Sequence, residues 1–451
     1  MVLDLLFALG LLASTASQLR PAGSPVGPGE VCLASWVLLM LTREAGRLGP
    51  PVTGSLRVLL TFWTVFALAM CLGTMTGFAI GDVHDPVWFM HDIFAYGLVA
   101  AISCLSVVEP GARSRMHRVA WLTTTLGSAW LGLQVAHGWG LVAIGDIDPW
   151  EWDRFRGLTD NANQLALFCT IMSLLALHLA EAADGIGKRV CALLCCVVAT
   201  IVGRLTKSDA FLLALLAAVP VFVVLKLRTW LLRSERKLNL RTASAWICIL
   251  AVPAVLAYVV PIGVLNVDQS TRVIEEMTRG GATNETKENA RLRVHIWTAA
   301  IWRGIESGAL GLGPGPHLEI PQAILASRRE STNEPGHVEH PQFNFAPNFE
   351  AHNTLLDLFV QGGLPADAAV VWLFATALVM TCRARLDAMT ALLAGMAVFS
   401  IFHLIVRHPI AWFAISFCLV RAGDTLRLST TPRSSPIHAK DNRRVARTAN
   451  A

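Results

Sequence analysis

The run "DAFLLALLAAVPVFVVLKLRTWLLRSERKLNLR", Asp209 to Arg241, sets the terms for the whole chain. Its first half, 209–226, is apolar for long enough to cross a hydrocarbon layer of about 30 Å as a helix. Its second half, 226–241, carries six Lys and Arg against one Glu. A membrane helix that ends in a dense basic stretch leaves that stretch on the cytoplasmic side.

The same pattern recurs from end to end. The 451 residues are 54% hydrophobic and only 15% charged, against about 25% charged in globular chains, and the mean hydropathy is +0.53. Spans are expected near 2–17, 30–46, 56–80, 90–108, 118–140, 163–182, 189–204, 209–226, 242–263, 365–381, 386–406 and 408–421. Val2 to Ala16 has no basic n-region and no convincing cleavage site, so it reads as a first span, not a signal peptide. The expected fold is therefore an all-α polytopic membrane protein of about twelve transmembrane helices.

Basic connections alternate with acidic or mixed ones. "GARSRMHR" (111–118), "GKR" (187–189), "CRAR" (382–385) and the tail fall on one side with the 226–241 run. "GDVHDP" (81–86) has no Lys or Arg, and "GDIDPWEWDRFRG" (145–157) has four acidic residues between Asp146 and Asp153 against Arg154 and Arg156. With both termini cytoplasmic, the one long hydrophilic segment, about 265–353, lies outside the cytoplasm. The chain then divides into helices 1–9 over 1–264, that external loop, C-terminal helices over 354–421, and a basic tail over 422–451. The tail buries too little apolar surface to fold, and its charge suits an anionic inner leaflet; no nucleic-acid partner is expected. All ten cysteines lie within or at the edge of apolar runs, where Cys acts as a small hydrophobe, so neither a disulfide framework nor a metal ribbon is expected.

Four segments place polar groups at the external face. "RFRGLTDNANQLALF" (154–168) opens a span with Asn161, Asn163 and Gln164, for which helix capping is the simple role. "GRLTKSDAFLLAL" (203–215) puts Arg204 and Lys207 against the positive-inside bias; they either snorkel from a helix end or form an anion site. "ENARLRVHIWTAAIWRGIESGALGLGPGP" (288–316) interleaves Arg291, Arg293 and Arg303 with Trp297 and Trp302, a spacing that suits a helix lying at the headgroups. Its "GLGPG" is a weak phosphate signal, having no strand-to-helix context. "EAHNTLLDLFVQGGLP" (350–365) sets His352 and Asn353 at a helix edge, and His352 is a candidate general base because the unperturbed pKa of histidine is close to working pH. A metal site from His337, Glu339, His340 and His352 is disfavoured by irregular spacing.

Taken in order, these segments resemble the O-antigen ligase and polymerase superfamily, bacterial inner-membrane glycosyltransferases that use lipid-linked donors. "GLTDNANQLA" is similar to that family's glycine–asparagine helix entry, with Ala162 where proline is common. "RVHIW" (293–297) resembles its Arg-three-residues-Trp element, and "AHNTLLDLFVQGGLP" its His-Asn element and trailing glycine. One departure stands out: Asp209 occupies the place of a frequent family Arg, which Arg204 or Lys207 would have to replace. The resemblance implies transfer of a glycan from a polyprenyl pyrophosphate to an acceptor hydroxyl, either lipid A-core or a growing glycan, with no cofactor and no metal. His352 and Asn353 would be catalytic, and Arg293, Arg291, Arg204 and Lys207 would bind the donor pyrophosphate. The active site would face the periplasm. Ligation is favoured over repeat-unit polymerisation by the single dominant external loop. A secondary transporter is the rival of another class; the absence of a clear inverted repeat and the scarcity of intramembrane charge speak against it.

Overall fold

A computed structural model describes residues 1–21, 26–46, 53–82, 85–108, 111–145, 147–151, 154–231, 284–321 and 345–430. Among these, twelve helices and two small antiparallel hairpins form the architecture. In chain order the helices are α1 Val2–Ala13, α2 Pro28–Ala45, α3 Gly54–Ile80, α4 Pro86–Val108, α5 Ala112–Gly138, α6 Ala162–Ala182, α7 Ile186–Leu205, α8 Asp209–Leu231, α9 Asn284–Glu306, α10 Thr354–Arg383, α11 Asp387–Phe399 and α12 Pro409–Thr430. Hairpin β1–β2 (Trp150–Glu151, Arg154–Phe155) precedes α6, and β3–β4 (Leu318–Pro321, Phe345–Phe349) precedes α10. Seven helices, α3, α4, α6, α7, α8, α10 and α12, are long and apolar enough to cross a membrane, and α1 and α11 are shorter apolar helices. The protein is an all-α polytopic membrane protein.

Several boundaries differ from those read off the sequence. The first span is only twelve residues long. The expected 386–406 span ends at Phe399, and the chain then turns until Pro409 starts α12. The last helix runs to Thr430, past the expected start of the tail. The expected span at 242–263, residues His337, Glu339 and His340, and the tail from 431 lie outside the described residues.

The leucine- and alanine-rich α6 is buried along nearly its whole length, packed against α5, α7, α8 and α11. Around it the helices expose apolar side chains such as Leu68, Leu194, Leu216 and Val371, as a lipid-facing surface does.

The break in α10 positions the site. Gly363 sits at φ 64°, and Pro365 behind it has no N–H to donate, so the helix ladder is interrupted between Val360 and Leu364. The loop 309–313 supplies the missing partners: Leu312 N donates to the Val360 carbonyl (2.8 Å), Gly313 N to the Gln361 carbonyl (2.7 Å), and Leu364 N to the Ala309 carbonyl (3.0 Å). Backbone freed at membrane depth must be satisfied by protein, and here the "GLGPG" run does it. The approach is close enough that a Cβ on Gly311 would lie 2.4 Å from the Gln361 oxygen. These glycines serve backbone packing.

Candidate active site

At the start of α10 the chain makes a tight, heavily braced turn. The Asn353 side chain accepts hydrogen bonds from Leu355 N (3.1 Å) and Leu356 N (3.2 Å), capping the helix. One turn on, the Asp357 carboxylate reaches back to accept from Ala351 N (2.6 Å) and Asn353 N (3.1 Å). His352 stands between those two anchored amides, its backbone at φ 51° and its side chain exposed. A non-glycine residue held in the left-handed region costs about 1–3 kcal/mol and persists only where its surroundings enforce it.

Three other segments brace the same turn. From α9, Trp297 donates its indole N–H to the Ala351 carbonyl (3.1 Å). From the 400–408 turn, Ser400 and His403 offer backbone carbonyls to Thr354 N (2.8 Å) and Thr354 Oγ1 (2.6 Å). Arg407 pairs with Glu350, two residues before His352, and with Asp92 of α4 (2.6 Å), which also meets His91 Nδ1 (3.0 Å). Burial works against the Arg407 charge, but the Glu350 and Asp92 carboxylates outweigh it and hold its pKa above the ordinary value. Behind the turn, Tyr96 donates to the Gln361 side-chain oxygen (2.7 Å), tying α4 to the break in α10.

His403 and His408 face each other Nε2 to Nε2 at 3.1 Å. Burial, then the charges of Arg407 and Arg20, push His408 down to about 3, and burial lowers His403 as well. Both are neutral imidazoles sharing one N–H between them.

The second polar cluster joins two of the sequence segments. Arg154 of β2 donates to the Asn163 side-chain oxygen (2.9 Å) and the Thr206 carbonyl (3.2 Å), and Ser208 Oγ donates to the same Asn163 oxygen (2.9 Å). Arg204 is in the last turn of α7, Lys207 is exposed at φ 50°, and Asp209 opens α8. Asn161 caps α6 through Gln164 N (3.0 Å). The two clusters communicate through the segment after α1. Ser17 and Gln18 bond to the 157–164 stretch, and Arg20, paired with Glu30 (2.6 Å), lies near enough to act on His408.

Of the site residues expected from sequence, His352 and Asn353 stand at one turn, and Arg293 lies exposed on α9 one helical turn before Trp297. Arg204 and Lys207 belong to the other cluster. Arg291 lies in α9, but its side chain is outside the described residues. Arg303 lies in the last turn of α9. It pairs with Asp82, whose other oxygen accepts from or shares a proton with His317 Nδ1 (2.9 Å). Sequence reasoning missed Arg407, Asp92 and Arg154. The signal for Arg407 was present: a charged "RH" pair directly before Pro409, between two apolar runs.

The fold and this polar end define a polytopic membrane protein with a rigidly mounted histidine and a set of arginines at one end of its bundle. Residues 192–371 match the family model described as O-antigen ligase. The matched stretch holds Arg204, Lys207, Arg293 and His352 but not Asp92, Arg154 or Arg407. No curated protein matches the chain.

Proposed function

We propose that the protein transfers a glycan from a polyprenyl pyrophosphate to an acceptor hydroxyl at the periplasmic face of a bacterial inner membrane, with lipid A-core as acceptor. The observation that carries this is the mounting of His352: an exposed imidazole on a strained turn fixed by Asp357, Asn353, Trp297 and the Glu350–Arg407 pair. Such rigidity is what a general base requires, because efficiency falls steeply when the base is misplaced.

In this mechanism a neutral His352 takes the proton of the acceptor hydroxyl. The acceptor oxygen attacks the anomeric carbon, and the bond from that carbon to the pyrophosphate oxygen breaks with its electron pair leaving on the lipid pyrophosphate. A single displacement inverts the anomeric centre. Arg293 receives the departing charge; the Arg-three-residues-Trp spacing puts it on the same face of α9 as Trp297, which is bonded to the His352 turn. A guanidinium suits this task because its fork is planar and permanently charged. Asn353 and Arg407 act through the backbone that carries His352: the first caps α10, the second anchors Glu350. In this reading Arg204 and Lys207 hold the second part of the pyrophosphate or the adjoining sugar.

The test is the fate of lipid-linked glycan in a strain lacking the protein. A ligase deletion accumulates full-length lipid-linked glycan and loses the modified lipid A-core. Accumulation of single repeat units instead would identify a polymerase, and an unchanged glycan profile would reject both.

A further inference from the structure

The end of the bundle opposite His352 carries a cavity of about 530 Å³, between the start of α1, the last turn of α2 and the start of α5. The 27 residues of α5, about 40 Å of helix, separate it from the other end. Arg43, Arg115 and Arg118 line it against a single carboxylate, Asp4. Arg115 is almost completely buried and is fixed in place, donating to the Leu105 (3.2 Å) and Ser106 (2.8 Å) carbonyls at the end of α4. Arg118 pairs with Asp4 (2.7 Å) but is 54% exposed. The Asp4 carboxylate is buried and fixes the Arg118 Nε at the cavity wall, while over half of the arginine side chain stays open to solvent. Arg43 is exposed, whereas the neighbouring Glu44 is buried and does not line the cavity. Gly111 and Ser114, at the N-terminus of α5, complete the wall, so the positive end of a helix dipole adds to the arginine charge.

The surroundings decide what kind of anion fits. Val2, Leu5 and Leu9 fall on one face of α1 by helical periodicity and are all exposed, at 80, 41 and 44%. Leu39, 48% exposed, lies one turn below Arg43 on α2. An apolar stripe therefore descends from the basic cavity on α1, and Leu39 adds an exposed apolar side chain beside it on α2. We propose that the cavity holds the phosphodiester head group of an anionic phospholipid, with its acyl chains against α1 and α2. A soluble phosphate would use the arginines but leave these exposed apolar side chains without a role. The inference is independent of the glycosyltransferase assignment.

The full-length protein, purified in detergent and equilibrated with equal amounts of phosphatidylglycerol and phosphatidylcholine, can be weighed intact by native mass spectrometry. Wild type should retain phosphatidylglycerol in preference. Each arginine removed should cost about fivefold in that preference, so Arg43→Gln with Arg118→Gln should cost about 25-fold. The Lys pair at the same positions should keep most of it, and Arg383→Gln, basic and exposed at the same end of the bundle but off the cavity, should leave it unchanged. A wild type without preference, or a double Gln variant that binds as wild type does, would overturn the proposal. So would displacement of the lipid by millimolar inorganic phosphate, which would make the cavity a soluble-anion site.

Discussion

Arg407 meets Asp92 across 315 residues of sequence and Glu350 across 57, and what depends on it is the geometry of the turn between Glu350 and Asn353. Arg407→Met leaves two largely buried carboxylates without their cation, at a cost of about 3–5 kcal/mol. Its thermal unfolding midpoint in detergent should fall well below that of wild type. Arg407→Lys, which keeps the charge but loses the fork that reaches both carboxylates, should fall less; equal midpoints for Met and wild type would show that the triad does not hold the turn. His408 makes a second residue-scale prediction. Folded, it titrates near 3; unfolded, near about 6.5. Between those values the unfolded chain binds a proton that the folded chain does not, so stability is constant above about pH 6.5 and falls as pH drops toward 3. His408→Gln should flatten that fall in midpoints measured across the range. His352 and Asn353 were legible in the sequence because a polar pair at a helix edge is a local signal. The Asp92–Arg407–Glu350 triad was not, because its members come from three segments and their pairing is a property of packing alone.

At the scale of elements, the broken helix α10 and the 309–313 loop form one unit. Gly363 adopts φ +64°, and a Cβ there would lie 2.2 Å from the Ala309 oxygen, so Gly363→Ala should unseat the loop. Gly311→Ala should do the same for the same reason. Both should lower folded yield and transfer together; a Gly311→Ala protein of full stability that binds donor weakly would instead restore a phosphate-binding role to the loop. The helices of spanning length were legible where α3, α4, α6 and α7 follow apolar runs, whereas the short hairpins β1–β2 and β3–β4 were not expected. Two features of the helices were hidden as well. The break at Gly363 was hidden because "GGLP" reads equally as a helix start, and the span expected from sequence begins at 365. The start of the turn at 400–408 was hidden because "IFHLIV" (401–406) continues the apolar run of the helix before it, and the bonds of Thr354 to the Ser400 and His403 carbonyls reveal it. Arg154 ties the hairpin β1–β2 to α6 and α7; Arg154→Ala should weaken transfer more than Arg156→Ala, whose side chain, among the described residues, bonds to Asp148.

For the whole molecule, charged side chains gather at both ends of the bundle. Lys226, Glu181 and Asp387 form a network at the end opposite His352, where Arg43, Arg115 and Arg118 also lie. In a cysteine-free background, Leu141→Cys and Glu306→Cys should label with an impermeant thiol reagent added from outside the inner membrane, and Ile186→Cys and Arg383→Cys should not. Labelling of all four from one side would remove the topology on which a periplasmic reaction depends. Given that topology, the central claim is that His352 takes the acceptor proton while Arg293 receives the leaving charge. It is tested most directly by glycan transfer in membranes holding wild type, His352→Ala and Arg293→Lys at matched protein levels, alongside binding of a polyprenyl pyrophosphate analogue. Loss of the base should reduce transfer by about 10²–10⁴-fold with analogue binding intact, and Arg293→Lys should weaken binding and transfer together. Full transfer by His352→Ala would contradict the account and leave the braced turn at the head of α10 as a helix entry alone.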